Sequence, residues 1–189
     1  PPSAPLGNKE KHMKVLYCAS EVKPFAASGG LGDVAGSLPV ELVKAGVECR
    51  VVMPLYGDIK EELRSQFTYL TNFTVPVGWR NQYCGLFEYE YKGVKFYFLD
   101  NEYYFKRGGL YGFYDDGERF AFFSRAILEM LFYTEFAPNV IHTNDWQTAL
   151  VPVYLNLYYR HLEKFSSIKT IFTIHNIQYQ GKYGLEILE

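Results

Sequence analysis

The sequence is poor in cysteine and offers no pairing for the cysteines it has. Cys18, Cys49 and Cys84 are odd in number and widely spaced. No C-x-x-C pair and no Cys/His cluster is present, which argues against a disulfide framework and against a cysteine-held metal. They read as buried free thiols of a protein kept in a reducing compartment. No apolar run reaches the length of a bilayer crossing, so no membrane partner is expected. Pro1 to His12 lack the apolar stretch of a secretory signal. These twelve residues are expected to be a disordered leader or a tag remnant before Met13. Net charge is only −2 and no basic stripe is visible, which excludes the usual footprint of a nucleic-acid binder. The Walker P-loop, the G-x-G-x-x-G fingerprint and G-x-S-x-G are missing. So are a Ser-His-Asp or Cys-His arrangement and a glutamate pair with hydrolase logic.

What the chain has in excess is aromatic side chains, with 17 tyrosines and 15 phenylalanines among 189 residues. Many must form the core. Tyrosine also suits sugar-binding surfaces, because its face packs on C–H groups while its hydroxyl bonds. The length allows one domain with a substantial core.

Local pattern places that core in a parallel sheet. Residues 14–20, KVLYCAS, form a short apolar run that leads to a glycine loop, as a buried parallel strand does. A helix is expected over 32–46, kinked or split at Pro39. The strand 48–53 follows, closed by Pro54, and completes a right-handed βαβ unit. The middle differs. Residues 68–77, 83–91 and 94–99 alternate like antiparallel strands, and Lys92-Gly93 reads as a tight hairpin. Residues 101–117 read as a long loop of the length that usually serves function. Helix 118–134, strand 139–142, an apolar helix 146–160 containing Pro152, and strand 167–174 then restore the parallel character. The expected fold is α/β, a Rossmann-like parallel sheet flanked by helices with an antiparallel insertion around 67–99. It forms one domain over 13–189, expected to be a fragment because an open sheet ordinarily continues beyond such a strand.

Ligands of open parallel sheets bind beyond the carboxyl ends of the strands. Three such ends carry polar clusters here. The first is Ser28-Gly29-Gly30-Leu31-Gly32-Asp33, the second Thr143-Asn144-Asp145-Trp146-Gln147, the third begins at His175-Asn176 and runs through Gln178, Tyr179 and Gln180. The glycine loop and the helix start behind it suit a diphosphate, although a tight turn without ligand has the same composition. Asp33 would repel a phosphate beside it. It reads either as a helix N-terminal charge or as an acceptor for sugar hydroxyls. Asp145 has an N-cap explanation as well as a functional one. His142 and His175 each read as core histidines or as functional ones, His175 with the stronger case. Arg119, near a helix start, needs a carboxylate or phosphate partner, or is a surface charge.

These residues fall in a pattern. SEVKPFAASGGLGDVAGSLP, VIHTNDWQTALVPVYL and FTIHNIQYQGKY resemble three blocks of the bacterial and plant glycogen/starch synthases, in the same order and spacing. KVLYCASE and GERFAFFSRAILEM resemble two more. The resemblance runs from Met13 to about Leu185. It implies the N-terminal half of a GT-B glycosyltransferase, which transfers glucose with retention from ADP-glucose, or UDP-glucose, to the non-reducing 4-hydroxyl of an α-1,4-glucan. It implies no metal and no dissociable cofactor. It also implies pairing with the protein's own C-terminal nucleotide-binding domain, and a cytoplasmic location, or a plastid stroma in a plant. Carried over residue by residue, Gly29, Gly30 and Gly32, with Ser28 as an extra donor, would meet the donor diphosphate and glucose. Asp33, Asp145 and His175 would be catalytic, Trp146 and Asn176 would bind the donor sugar, and Tyr111 and Arg119 would serve the acceptor or the loop. Two positions depart from the family pattern. Ala27 stands where a lysine is usual two places before the glycines, and Gln147 stands for a histidine. The remaining alternative is a non-catalytic glucan-binding module of the same fold.

Overall fold

The computed structural model describes residues 12–188. The expected leader lies, His12 apart, outside the described residues. Seven strands form one sheet in the order β3-β4-β5-β2-β1-β6-β7. They are β1 (Lys14–Cys18), β2 (Glu48–Pro54), β3 (Thr68–Val77), β4 (Arg80–Tyr91), β5 (Val94–Asp100), β6 (Val140–Asn144) and β7 (Lys169–Thr173). The five from β5 to β7 run parallel. β3, β4 and β5 are antiparallel neighbours, so the insertion extends the sheet at its edge and β5 belongs to both parts. The helices are α1 (Gly30–Lys44), α2 (Glu61–Arg64), α3 (Glu102–Phe105), α4 (Asp116–Met130), α5 (Leu150–Tyr154) and α6 (Glu163–Ser166).

β1 lies at the centre of the five parallel strands, as its buried apolar run leads one to expect. Leu16, Tyr17 and Cys18 have no solvent exposure. Its neighbours are β2 on one side and β6 on the other, and beyond β2 the chain passes to the edge at β3 and returns through β4 to β5. The gap between the ends of β1 and β6 is therefore the topological switch point, where such sheets bind ligands.

Several expectations are refined. α1 begins at Gly30 and is not split at Pro39. The proline forfeits one helical hydrogen bond, but its ring is buried among the residues of α1 that pack inward. The loop of 101–117 contains α3, because the Asn101 side chain accepts from the Tyr104 amide and caps it. The apolar helix over 146–160 is three pieces. A 3₁₀ turn at Trp146–Thr148 leads into α5, and a π turn at Leu155–Tyr159 closes it. Pro152, within α5, has no N–H to carry the ladder back into the preceding turn.

The tyrosine and phenylalanine excess is mostly core. Tyr17, Tyr56, Tyr97 and Tyr104 are fully buried. Phe25 packs edge-on or tilted against Phe67, Tyr89, Tyr91, Phe96 and Phe98. It ties the segment after β1 to the antiparallel edge, and all three cysteines are buried free thiols. At the other edge β7 stays open, with Ile171 and Phe172 each about half exposed. No helix among the described residues is long and apolar enough to cross a membrane.

Phe25→Ala removes a ring at the junction of these elements. It is expected to lower the free energy of unfolding by about 3–5 kcal/mol, measured by urea titration.

Candidate functional site

The β1–β6 register sets Tyr17 beside His142 and Cys18 beside Thr143, and the β6–β7 register sets Asn144 beside Thr173. The three carboxyl ends therefore open onto one cleft of about 1060 Å³. Of the residues singled out from the sequence, Ser28, Gly29, Gly30, Tyr111 and Asp145 line it, as do Trp146, His175 and Asn176.

The glycine loop is organised by an acid that sequence reasoning passed over. Glu21 is almost fully buried. Its Oε2 accepts from the amides of Ser28, at 2.5 Å, and Gly29, at 3.0 Å. Its Oε1 accepts from the Tyr111 hydroxyl at 3.2 Å, and that hydroxyl also meets Ser20 Oγ at 2.7 Å. Burial, and then the carboxylate of Glu21, push the Tyr111 phenol well above the ordinary tyrosine range, so it stays a neutral donor. Two of the amides expected to hold an anion, and the Ser28 hydroxyl, are thus committed to Glu21. Gly29 caps α1 without a side-chain bond. The amides of Gly30 and Leu31 at the helix start have no intrahelical acceptor, and both residues line the cleft.

Gly32 and Asp33 are not on the cleft wall. A Cβ on Gly32 would lie 2.3 Å from that of Ala27, so this glycine serves the close approach of α1 to the loop before it. Asp33 is exposed and pairs with Lys23 at 2.6 Å. That pairing gives Asp33 the helix N-terminal role rather than the sugar-facing one in this conformation. Arg119 is also outside the cleft. It is fully buried, donating to Tyr104 O at 2.6 Å, Leu110 O at 3.0 Å and Asp116 Oδ1 at 2.7 Å. The carboxylate partner expected for it is Asp116, and the pair holds the loop before α4 in place. Asp116 itself lines the cleft and accepts from the amides of Gly112 and Phe113.

Asp145 occupies backbone that L-residues avoid, with φ 58° and ψ 179°. Such a conformation costs of order 1–3 kcal/mol and persists only where surrounding bonds impose it. Its amide donates to Thr173 O at 2.9 Å, and its Oδ1 accepts from the His175 amide at 2.7 Å. The side chain makes no capping bond, so the N-cap explanation does not account for it. Asn176 Oδ1 accepts from the Gln178 amide at 2.9 Å and turns the chain back over the cleft. Gly181, at φ 58°, then passes under Trp146, where a Cβ would lie 2.4 Å from the indole. Gln147, Gln178, Gln180 and Lys182 complete the wall. Lys182 is the one Lys or Arg side chain among the lining residues. Among the described residues, no group of three or more His, Cys, Asp or Glu could hold a metal.

His142 is not a lining residue. Its Nε2 lies 2.8 Å from Thr173 Oγ1, and its ring meets Tyr17 edge-on.

Comparison with known proteins follows the same blocks. A family model described as "Starch synthase catalytic domain" matches residues 14–189. The glycogen synthase of Clostridium botulinum (strain Eklund 17B / Type B) is 57% identical over 177 residues, 93% of this chain and 37% of its own. That of Caldicellulosiruptor saccharolyticus is 54% identical over 176 residues, with the same two coverages. The catalytic domain of starch synthase IV from Arabidopsis thaliana, solved bound to ADP and acarbose, superposes with a TM-score of 0.85. It is 32% identical and is matched over 94% of this chain and 36% of its own. The chain thus spans 37% of the length of these curated relatives.

Burial, and then the neighbouring His175, lower the pKa of His142 from its ordinary 6.5. The unfolded chain takes up that proton first. Stability is therefore complete above the unfolded value and is lost as pH falls through the folded one. Unfolding free energies measured from about pH 7.5 downward are expected to decline, and His142→Gln to shrink the decline.

Proposed function

Because the chain belongs to the starch synthase catalytic domain family, we propose that it forms one half of a glucosyltransferase. The reaction is the retaining transfer of glucose from a nucleoside-diphosphate glucose to the 4-hydroxyl at the non-reducing end of an α-1,4-glucan. ADP-glucose is the favoured donor, since the Arabidopsis neighbour was bound to ADP and to acarbose. The observation that carries the reading is the division of the cleft into two walls. On one wall the Gly30 and Leu31 amides open at the positive end of α1. On the other stand His175, Asn176, Gln178 and Gln180, a set suited to hydroxyl groups.

In this reading the glucosyl–phosphate bond breaks on the face that the acceptor hydroxyl attacks. Positive charge develops on the sugar, and negative charge on the departing diphosphate. The amides at the start of α1 stabilise the leaving group without reorganising. Lys182 supplies the cation that Ala27 does not. Asp145 lies at the sugar side, where a carboxylate favours an oxocarbenium-like centre. Trp146 gives the sugar an apolar face, and the Tyr111 hydroxyl, which donates to Glu21, keeps an oxygen able to accept from a hydroxyl of the acceptor. We assign the nucleotide-binding half to the further length that the curated relatives have beyond this match. Closure of the two halves would exclude water. The three buried free thiols suit a reducing compartment, the cytoplasm or, in a plant, the plastid stroma.

Full-length protein is expected to incorporate labelled glucose into glycogen from ADP-glucose in preference to UDP-glucose. No incorporation from either donor would overturn the enzyme reading, and glycogen binding without transfer would favour the binding module. Lys182→Ala is expected to raise the donor KM about two- to five-fold, as loss of one exposed charge contact does.

A further inference from the structure

Asn144 closes β6 beneath the cleft and is fully buried. Its side chain is held on every side. Nδ2 lies 3.0 Å from Cys18 O and 3.4 Å from His142 O. Carbonyl oxygens only accept, so the amide nitrogen must face them and the orientation is fixed by chemistry. Oδ1 then faces the other way. It accepts from the Tyr17 hydroxyl at 3.0 Å and stands 2.9 Å from His175 Nε2. The backbone is pinned as well, since the Asn144 amide donates to Thr148 Oγ1 at 2.7 Å, and Thr148 Oγ1 donates back to Asn144 O at 2.8 Å.

An imidazole nitrogen that faces an amide oxygen at this distance must carry a hydrogen. A neutral ring has only one, so Nδ1 is left with a lone pair. Nδ1 has no protein partner among the described residues, and His175 is an exposed lining residue of the cleft. A lone pair accepts from a hydroxyl and repels a phosphate oxygen, which has no hydrogen to give.

We infer that Asn144 is a positioning residue that fixes His175 as its Nε2–H tautomer, so that Nδ1 accepts from a sugar hydroxyl and rejects phosphate. The identity of the sugar rests on the function proposed above; the tautomer does not. The polarity of the cleft follows, with the diphosphate confined to the α1 wall and the sugar held at the β6–β7 wall. Asn144, which does not reach the ligand, orients the histidine that does, as hydrogen-bond partners orient metal-bound histidines.

The test is the long-range ¹⁵N–¹H spectrum of the His175 imidazole in the full-length protein, at a pH where the ring is neutral, with His175→Gln to assign the signal. The protonated nitrogen is expected to be Nε2. A proton on Nδ1 would overturn the inference, whether or not the protein transfers glucose. Asn144→Leu, which removes the acceptor, is expected to release the tautomer and lower kcat/KM for the donor by ten-fold or more. Asn144→Asp, which keeps an oxygen there, is expected to restore the Nε2–H signal. A leucine variant that keeps the same tautomer and activity within two-fold would also overturn it. Should that variant not fold, the wild-type spectrum alone decides.

Discussion

The register between β1 and β6 is the constraint on which the site depends. Pairing Tyr17 with His142 and Cys18 with Thr143 brings two strand ends level at the switch point. One consequence is that a β6 side chain, Asn144, can reach Tyr17 and Cys18 on β1 and His175 beyond β7 at once. Side chains alternate with period two, so a one-residue slip would turn every such contact to the opposite face. The apolar, fully buried character of β1 is what makes that slip costly. Core packing thus sets the position of the polar atoms that meet a ligand.

From that register follow two locally unfavourable features that the fold sustains together. Asp145 adopts a strained backbone, and Glu21 buries a carboxylate. Each is compensated by named bonds. The Asp145 turn is closed by Thr173 O and by the His175 amide, both on the β7 side. Glu21 receives two backbone amides and a tyrosine hydroxyl. Hydrogen bonds to a charged acceptor contribute about 1.5–3 kcal/mol apiece, roughly enough to offset the desolvation of one partly buried acid. The glycine loop is therefore shaped from inside before any ligand arrives.

Much of this was legible in the sequence because strand ends announce themselves. A short apolar run followed by a polar cluster is read in one dimension, and the Gly29, Asp145 and His175 clusters were found that way. Glu21 and Asp116 were not, and Asn144 stood in its cluster without a role, because these roles depend on partners 7, 8 and 90 residues away for Glu21, 3 or 4 for Asp116, and 31, 126 and 127 for Asn144. The nearer partners demand loop geometry and the farther ones demand register, and periodicity supplies neither. Arg119 shows the converse. Its need for a carboxylate was legible, but its burial was not, because the loop that covers it carries α3. The continuous helix over 146–160 failed on backbone detail, since apolar period alone does not reveal 3₁₀ and π turns.

Ala27 leaves the glycine loop without a cation, so positive charge at the cleft has to come from elsewhere. Two cations stand near the loop in sequence or space, Lys23 and Lys182. Lys23 is not free, because Asp33 holds it at 2.6 Å on the exposed side of α1. Three carboxylates, Glu21, Asp116 and Asp145, line the cavity, yet each is already turned toward amides. Their field is partly neutralised before an anion enters. In the proposed reading an incoming diphosphate would meet the helix end, worth about half a positive charge, and Lys182 on the loop that turns beneath Trp146. A fixed lysine at 27 would add attraction from the rigid side of the cleft. In the proposed reading Lys182 would add it from the loop beneath Trp146, where the attraction is strongest once water has been displaced.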